Sequence, residues 1–103
     1  MTATLSPAAA LAHLTELSPD VREGIVLDAG GKRLAGSAAL AAPAAELLDQ
    51  AGAPEIEVVT DRGAVFVAAD GEHAIAVVAA RAALPSLMFC DLRAVLGRLG
   101  VPR

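Results

Sequence analysis

The sequence predicts an α+β domain in which a five-stranded antiparallel sheet lies between helices, in the order helix-strand-strand-helix-strand-strand-strand-helix. Three observations carry this expectation. Ala64-Val65-Phe66-Val67-Ala68-Ala69 and Ala74-Ile75-Ala76-Val77-Val78-Ala79-Ala80 are apolar at every position. They lack the in-out alternation of a sheet wetted on one side, so both faces must be covered. Short turn signals, Asp61-Arg62-Gly63 and Asp70-Gly71, join these runs to each other and to Glu55-Ile56-Glu57-Val58-Val59-Thr60, which makes the pairing antiparallel. The segments at both ends and in the middle carry apolar residues at helical spacing.

Ser6-Pro7 supplies an N-cap followed by proline at the first helical position, and Leu11, Leu14 and Leu17 follow on one side of a first helix that Ser18-Pro19 stops. Gly24-Ile25-Val26-Leu27-Asp28 and Arg33-Leu34-Ala35 flank Ala29-Gly30-Gly31-Lys32, where two glycines can take positive φ and close a hairpin. Pro43 is expected to open a second helix containing Leu47 and Leu48, ending at Gly52 with Pro54 just beyond. Ile56 to Thr60, Ala64 to Ala69 and Ala74 to Ala80 form a meander. After Pro85, the residues Met88, Leu92, Val95, Leu96 and Leu99 make one apolar stripe on a terminal helix.

The 103 residues are read as a single domain, 1–103, with a real but modest core. Hydrophobic content is 55% with two aromatics, Phe66 and Phe89, so Ala, Val, Leu and Ile fill the interior and favour a binding surface over a deep pocket. A net charge of −4, with eight scattered basic residues, argues against nucleic acid. One cysteine, Cys90, excludes an internal disulfide and fits a reducing compartment. The start lacks a basic leader pattern and no apolar run reaches about 18 residues, so membrane insertion is not expected and a cytoplasmic location is.

Cover is the limiting resource. Five strands span about 24 Å, whereas a helix with its side chains is about 10–12 Å wide. If the first and last helices lie side by side on one face, the lone middle helix leaves much of the other bare. A second copy of the chain, placed by a two-fold axis, would close it. The third strand, with charge at alternate positions, reads as the edge where two copies pair, and small residues in the second helix would let the helices approach. The expected dimer interface is Ala41, Ala44, Ala45, Leu48, Glu55, Ile56, Glu57, Val58, Val59 and Thr60. The alternative is a solvated edge blunted by Glu55 and Glu57.

The segment Val21-Arg22-Glu23-Gly24-Ile25-Val26-Leu27-Asp28-Ala29-Gly30-Gly31-Lys32-Arg33-Leu34-Ala35, the helix after it, the meander and the terminal Phe89-Cys90-Asp91-Leu92-Arg93 helix resemble the roadblock family. That family includes dynein light chains and bacterial regulators of Ras-like GTPases. The resemblance covers nearly the whole chain and rests on patterns of glycine and apolar residues. It implies a profilin/roadblock-like sandwich, dimerised through the third strand and second helix into a ten-stranded sheet. It also implies non-catalytic work: docking on a small Ras-like GTPase to alter its nucleotide cycle, or scaffolding.

No active site is legible and no cofactor is expected. Gly30-Gly31-Lys32 lacks the Walker spacing, which puts Val26 and Arg33 where glycine and Ser or Thr are needed. His13 and His73 have no metal-ligand spacing and read as surface histidines. Cys90, among apolar residues, reads as a buried inert thiol. Ser37 lacks a hydrolase elbow, and Asp28, Asp61 and Asp70 abut glycine-containing turns, where aspartate is at home. Glu55 and Glu57 share a strand face, but an edge strand does not bury a general acid. Two function classes remain. One is a homodimeric adaptor for a GTPase, or a scaffold without one. The other is a PAS/GAF-like small-molecule sensor, which needs a pocket of at least about 300 Å³ between sheet and helix.

Overall fold

Ser6 caps the first helix as its position predicts: its side chain accepts a hydrogen bond from the Ala9 N–H at 3.2 Å, with Pro7 at the first helical position. The computed structural model describes residues 4–51, 54–61, 63–80 and 83–99. The elements are α1 (Pro7–Leu17), β1 (Val21–Asp28), β2 (Arg33–Gly36), a 3-10 turn (Ala38–Leu40), α2 (Ala41–Ala51), β3 (Glu55–Thr60), β4 (Gly63–Ala69), β5 (His73–Ala79) and α3 (Pro85–Leu96). The five strands form one sheet in the order β2-β1-β5-β4-β3, antiparallel at every junction. The predicted α+β architecture is therefore the observed one.

Alternation along the strands sorts their side chains into two cores. Val26, Ala64, Phe66, Ala68, Ile75, Val77 and Ala79 face α1 and α3, where they pack with Ala10, Leu14, Met88, Leu92, Val95 and Leu96. Ile25, Leu27, Val67, Ala74 and Ala76 face α2 and its Ala44. Phe66 is fully buried, and its ring meets that of Phe89 edge-on at 5.5 Å between centroids. Leu5 bridges to Leu99, while Leu17 lies beside Leu84 and Met88. Thus α1 and α3 run antiparallel on one face, and α2 has the other face to itself.

Several boundaries differ from expectation. β1 starts at Val21 rather than Gly24, because β5 extends far enough to pair Val21 with Ala79. α2 starts at Ala41, behind the 3-10 turn, and Pro43 sits within its first helical turn rather than opening it. The first four N–H groups of a helix lack intrahelical partners, so proline is tolerated there. Its expected end at Gly52 lies outside the described residues, as does Arg62 in the β3–β4 turn. Of the two glycines in the turn of the first hairpin, only Gly31 takes positive φ, at 86°. The rest of the turn is held by the Asp28 carboxylate, which accepts from the N–H groups of Gly30 and Lys32 at 2.9 Å each.

Candidate protein-interaction surface

β3 ends the sheet. It pairs with β4 from Glu55 opposite Ala68 to Thr60 opposite Gly63, and among the described residues no strand lies on its outer side. The sequence places charge here because an edge needs protection. Its register then decides what each side chain can do. Glu55, Glu57 and Val59 stand opposite Ala68, Phe66 and Ala64, and so point toward the α1/α3 layer; Ile56 and Val58 stand opposite Val67 and Val65, and point toward the α2 layer.

The expected interface residues therefore do not form one patch. Glu55 accepts a hydrogen bond from the Arg93 guanidinium of α3, forming an ion pair. Glu57 and Val59 are exposed on that same side. Ile56 and Val58 are half-buried beside α2. Ala44 is 2% exposed and packs inward on its own sheet, so it offers no surface. Ala41, Ala45 and Leu48 are half-buried; Ala41 and Leu48 pack at the margin of the α2 core. Thr60 bonds through its hydroxyl to the Gly63 carbonyl at 3.0 Å.

Two residues that sequence reading missed complete the α2-side surface. Val58 stands opposite Val65, and Val65 opposite Val78. All three are half-buried, although the other residues of β4 and β5 are buried except Ala69 and His73 at the strand ends. They form a row across three strands beside α2. Continuous apolar runs demand cover on both faces but do not say which positions a single helix leaves open. Among the described residues, the two-helix face buries fifteen residues and the one-helix face six, so the deficit lies with α2. Covering the open half of each valine is worth about 1 kcal/mol apiece.

Among the described residues no group of three or more His, Cys, Asp or Glu could hold a metal ion. Cys90 is exposed, contrary to expectation. The stripe Met88, Leu92, Val95 and Leu96 takes the buried face of α3, and position 90 falls on its far side. His13 is half-buried rather than fully solvated, with Nε2 3.2 Å from the Arg98 guanidinium. The His73 N–H and that of Glu72 donate to the Asp70 carboxylate, so this aspartate closes a turn. Depressions of about 300 Å³ and 460 Å³ open at the sheet end near Asp28. The smaller is bounded by the first hairpin with Ala45 and Leu48, the larger by that hairpin, Leu34 and the β4–β5 turn. The smaller lies between the hairpin and α2, whose Leu48 packs against the margin of the core on that face, and the larger lies at the rim of the sheet. No described helix is long and apolar enough to cross a membrane.

In shape the chain is similar to three solved structures. The Roadblock/LC7 domain from Streptomyces avermitilis is 16% identical with a TM-score of 0.72, covering 87% of this chain and 94% of that one. The gliding protein MglB from Thermus thermophilus is 15% identical with a TM-score of 0.65, covering 87% and 82%. LokiProfilin2, solved as a complex with rabbit actin, is 10% identical with a TM-score of 0.65, covering 85% and 90%. No protein-family model and no curated protein matches the sequence. The likeness is one of architecture, and it establishes a roadblock-type fold.

Proposed function

We propose that this chain, whose fold is of the roadblock type, is a non-catalytic cytoplasmic adaptor that works as a homodimer and regulates or scaffolds a small Ras-like GTPase. The observation that carries the reading is the unequal cover of the sheet. An edge strand, a half-open row of Val58, Val65 and Val78, and a lone helix lie side by side on one face. A two-fold axis beside β3 would pair the edge strands and lay a second α2 next to the first, continuing the sheet to ten strands. Ile56 and Val58 would then lie in the contact, with the β3 backbone from Glu55 to Thr60 as its hydrogen-bonding seam, while Ala45 and Leu48 stay beside the first hairpin. Ala41 and Ala44 would act from beneath, as small residues that seat α2 close to the sheet.

Support for a GTPase partner comes from the family resemblance of the sequence and from the architecture shared with a bacterial gliding protein. Regulation would act on the conformation of the GTPase rather than through an inserted arginine, which needs a well-placed exposed side chain. Among the described arginines, Arg93 is paired with Glu55, Arg98 is engaged with His13, Arg33 donates to the Gly36 carbonyl, and Arg22 has a partner of its own.

Sedimentation equilibrium tests the dimer: twice the chain mass is expected, with Val58→Asp weakening association at least tenfold, about 1.4 kcal/mol. A well-folded wild-type monomer at high micromolar concentration would remove the homodimer. Co-elution with the Ras-like GTPase encoded nearest to it, and phosphate release with and without the adaptor, test the partner. Separate elution together with unchanged hydrolysis would exclude that GTPase.

A further inference from the structure

Three of the five large apolar side chains exposed among the described residues converge at one place, on the sheet face opposite α2. Leu17, at the end of α1, is 45% exposed; Leu84 and Leu87, at the start of α3, are each 61% exposed. Single exposed leucines are ordinary, whereas a cluster of them marks a contact surface. Between the antiparallel helix ends they wall a depression of about 260 Å³, whose lining also includes Met88, at 2% exposure, and the acidic residues Asp20 and Asp91. No basic residue among the described ones lines it.

We propose that this depression is a docking site for an amphipathic helix of a partner protein, one that presents a bulky apolar side chain flanked by lysine or arginine. Charge selects this occupant over the others. A second copy of the chain, related by a two-fold axis, would bring like carboxylates together around the same leucines. An anionic membrane surface would meet the same acidic rim and be repelled. A free small molecule would find a volume below the usual range of about 300–1,000 Å³ for such sites. A basic amphipathic helix places its apolar side chain over Met88 and its cations on Asp20 and Asp91, in the helix-in-groove mode. The site lies across the sheet from the proposed dimer contact, so it stays open in the dimer.

The test is a nitrogen-15 NMR titration of the full chain with a synthetic helical peptide carrying leucine at i, i+3, i+4 and i+7 and lysine on both flanks. A control peptide has the same leucines with glutamate for lysine, and vesicles of phosphatidylserine and phosphatidylcholine serve as a third probe. The basic peptide is expected to bind saturably and to shift the signals of residues 16–20 and 83–91. Leu87→Asp should weaken it at least tenfold. Asp20→Lys, at an exposed position, should weaken the basic peptide several-fold and improve the acidic one, which keeps the proposal testable should Leu87→Asp misfold. Equal binding of both peptides, shifts confined to other residues, or vesicle binding without peptide binding would each overturn it. So would a change in self-association as the sole effect of Leu87→Asp.

Discussion

Gly36 shows how much one residue can decide. Its φ is 97°, and a Cβ built there would lie 2.2 Å from the Gly24 carbonyl oxygen, 2.7 Å from the Ile25 Cα and 2.8 Å from the Leu11 side chain. Gly24, with Leu11 only 3.0 Å from its own virtual Cβ, forms the other half of the gap. α1 therefore reaches the sheet through two glycines on adjacent strands. Gly36→Ala is expected to cost about 2–4 kcal/mol, since both the backbone conformation and the backbone contacts oppose it. Urea unfolding would show this as a lower midpoint at unchanged slope, and a loss below about 0.5 kcal/mol would contradict the packing described. Gly36 was not legible in advance, because its clash partners Gly24, Ile25 and Leu11 are brought to it by strand pairing and helix packing. Cys90 is exposed for a related reason: the buried stripe of Met88, Leu92, Val95 and Leu96 lies on a different side of α3. The Glu55–Arg93 pair, with side chains 35% and 49% exposed, contributes no more than about 1 kcal/mol; its interest lies in showing which way the edge strand faces.

At the scale of elements, legibility followed local chemistry. α1 announces itself with a serine cap, a proline and a stop, and all three stand where the sequence puts them. Ser6→Ala is expected to lower stability by about 1 kcal/mol, with Ser6→Asp close to wild type by the same thermal or urea measurement; equal losses in both would mean the cap is not the cause. α2 was harder. The Ser37 side chain makes no capping hydrogen bond to the 3-10 turn that precedes it, so Pro43 stood out as the nearest start signal although the helix begins two residues earlier. α3 also lacks a side-chain cap, with Leu84 at that position and Pro85 following, and the same uncapped start leaves Leu84 exposed at the docking depression. Strand termini moved by up to three residues because partners, not local propensity, set where a ladder ends.

For the molecule as a whole, the balance of cover governs behaviour. Two helices close one face, one helix half-closes the other, and β3 ends the sheet beside the deficit. If folding and association are coupled, stability depends on concentration. Thermal unfolding of the wild type is then expected to shift upward by about 3 °C for each tenfold rise in concentration, the shift disappearing in Val58→Asp. A melting temperature independent of concentration over two decades in the wild type would separate folding from dimerisation. The two proposed contacts use opposite faces, so changes at Val58 and at Leu87 should combine additively in stability.

The amino-acid order alone determined the kinds and sequence of elements, the antiparallel meander, the edge character of Glu55 to Thr60 and the demand for cover on both faces. Each of these follows from residues near one another in the chain: caps, turn residues and the period of apolar side chains. Only the tertiary structure decided that β1 lies between β2 and β5, that Glu55 turns to Arg93 while Val58 turns to Val65, and that Leu17, Leu84 and Leu87 line one depression. Those pairings depend on strand register and on helices crossing a twisted sheet, where a shift of one residue reverses every side chain's face and nothing local records the choice.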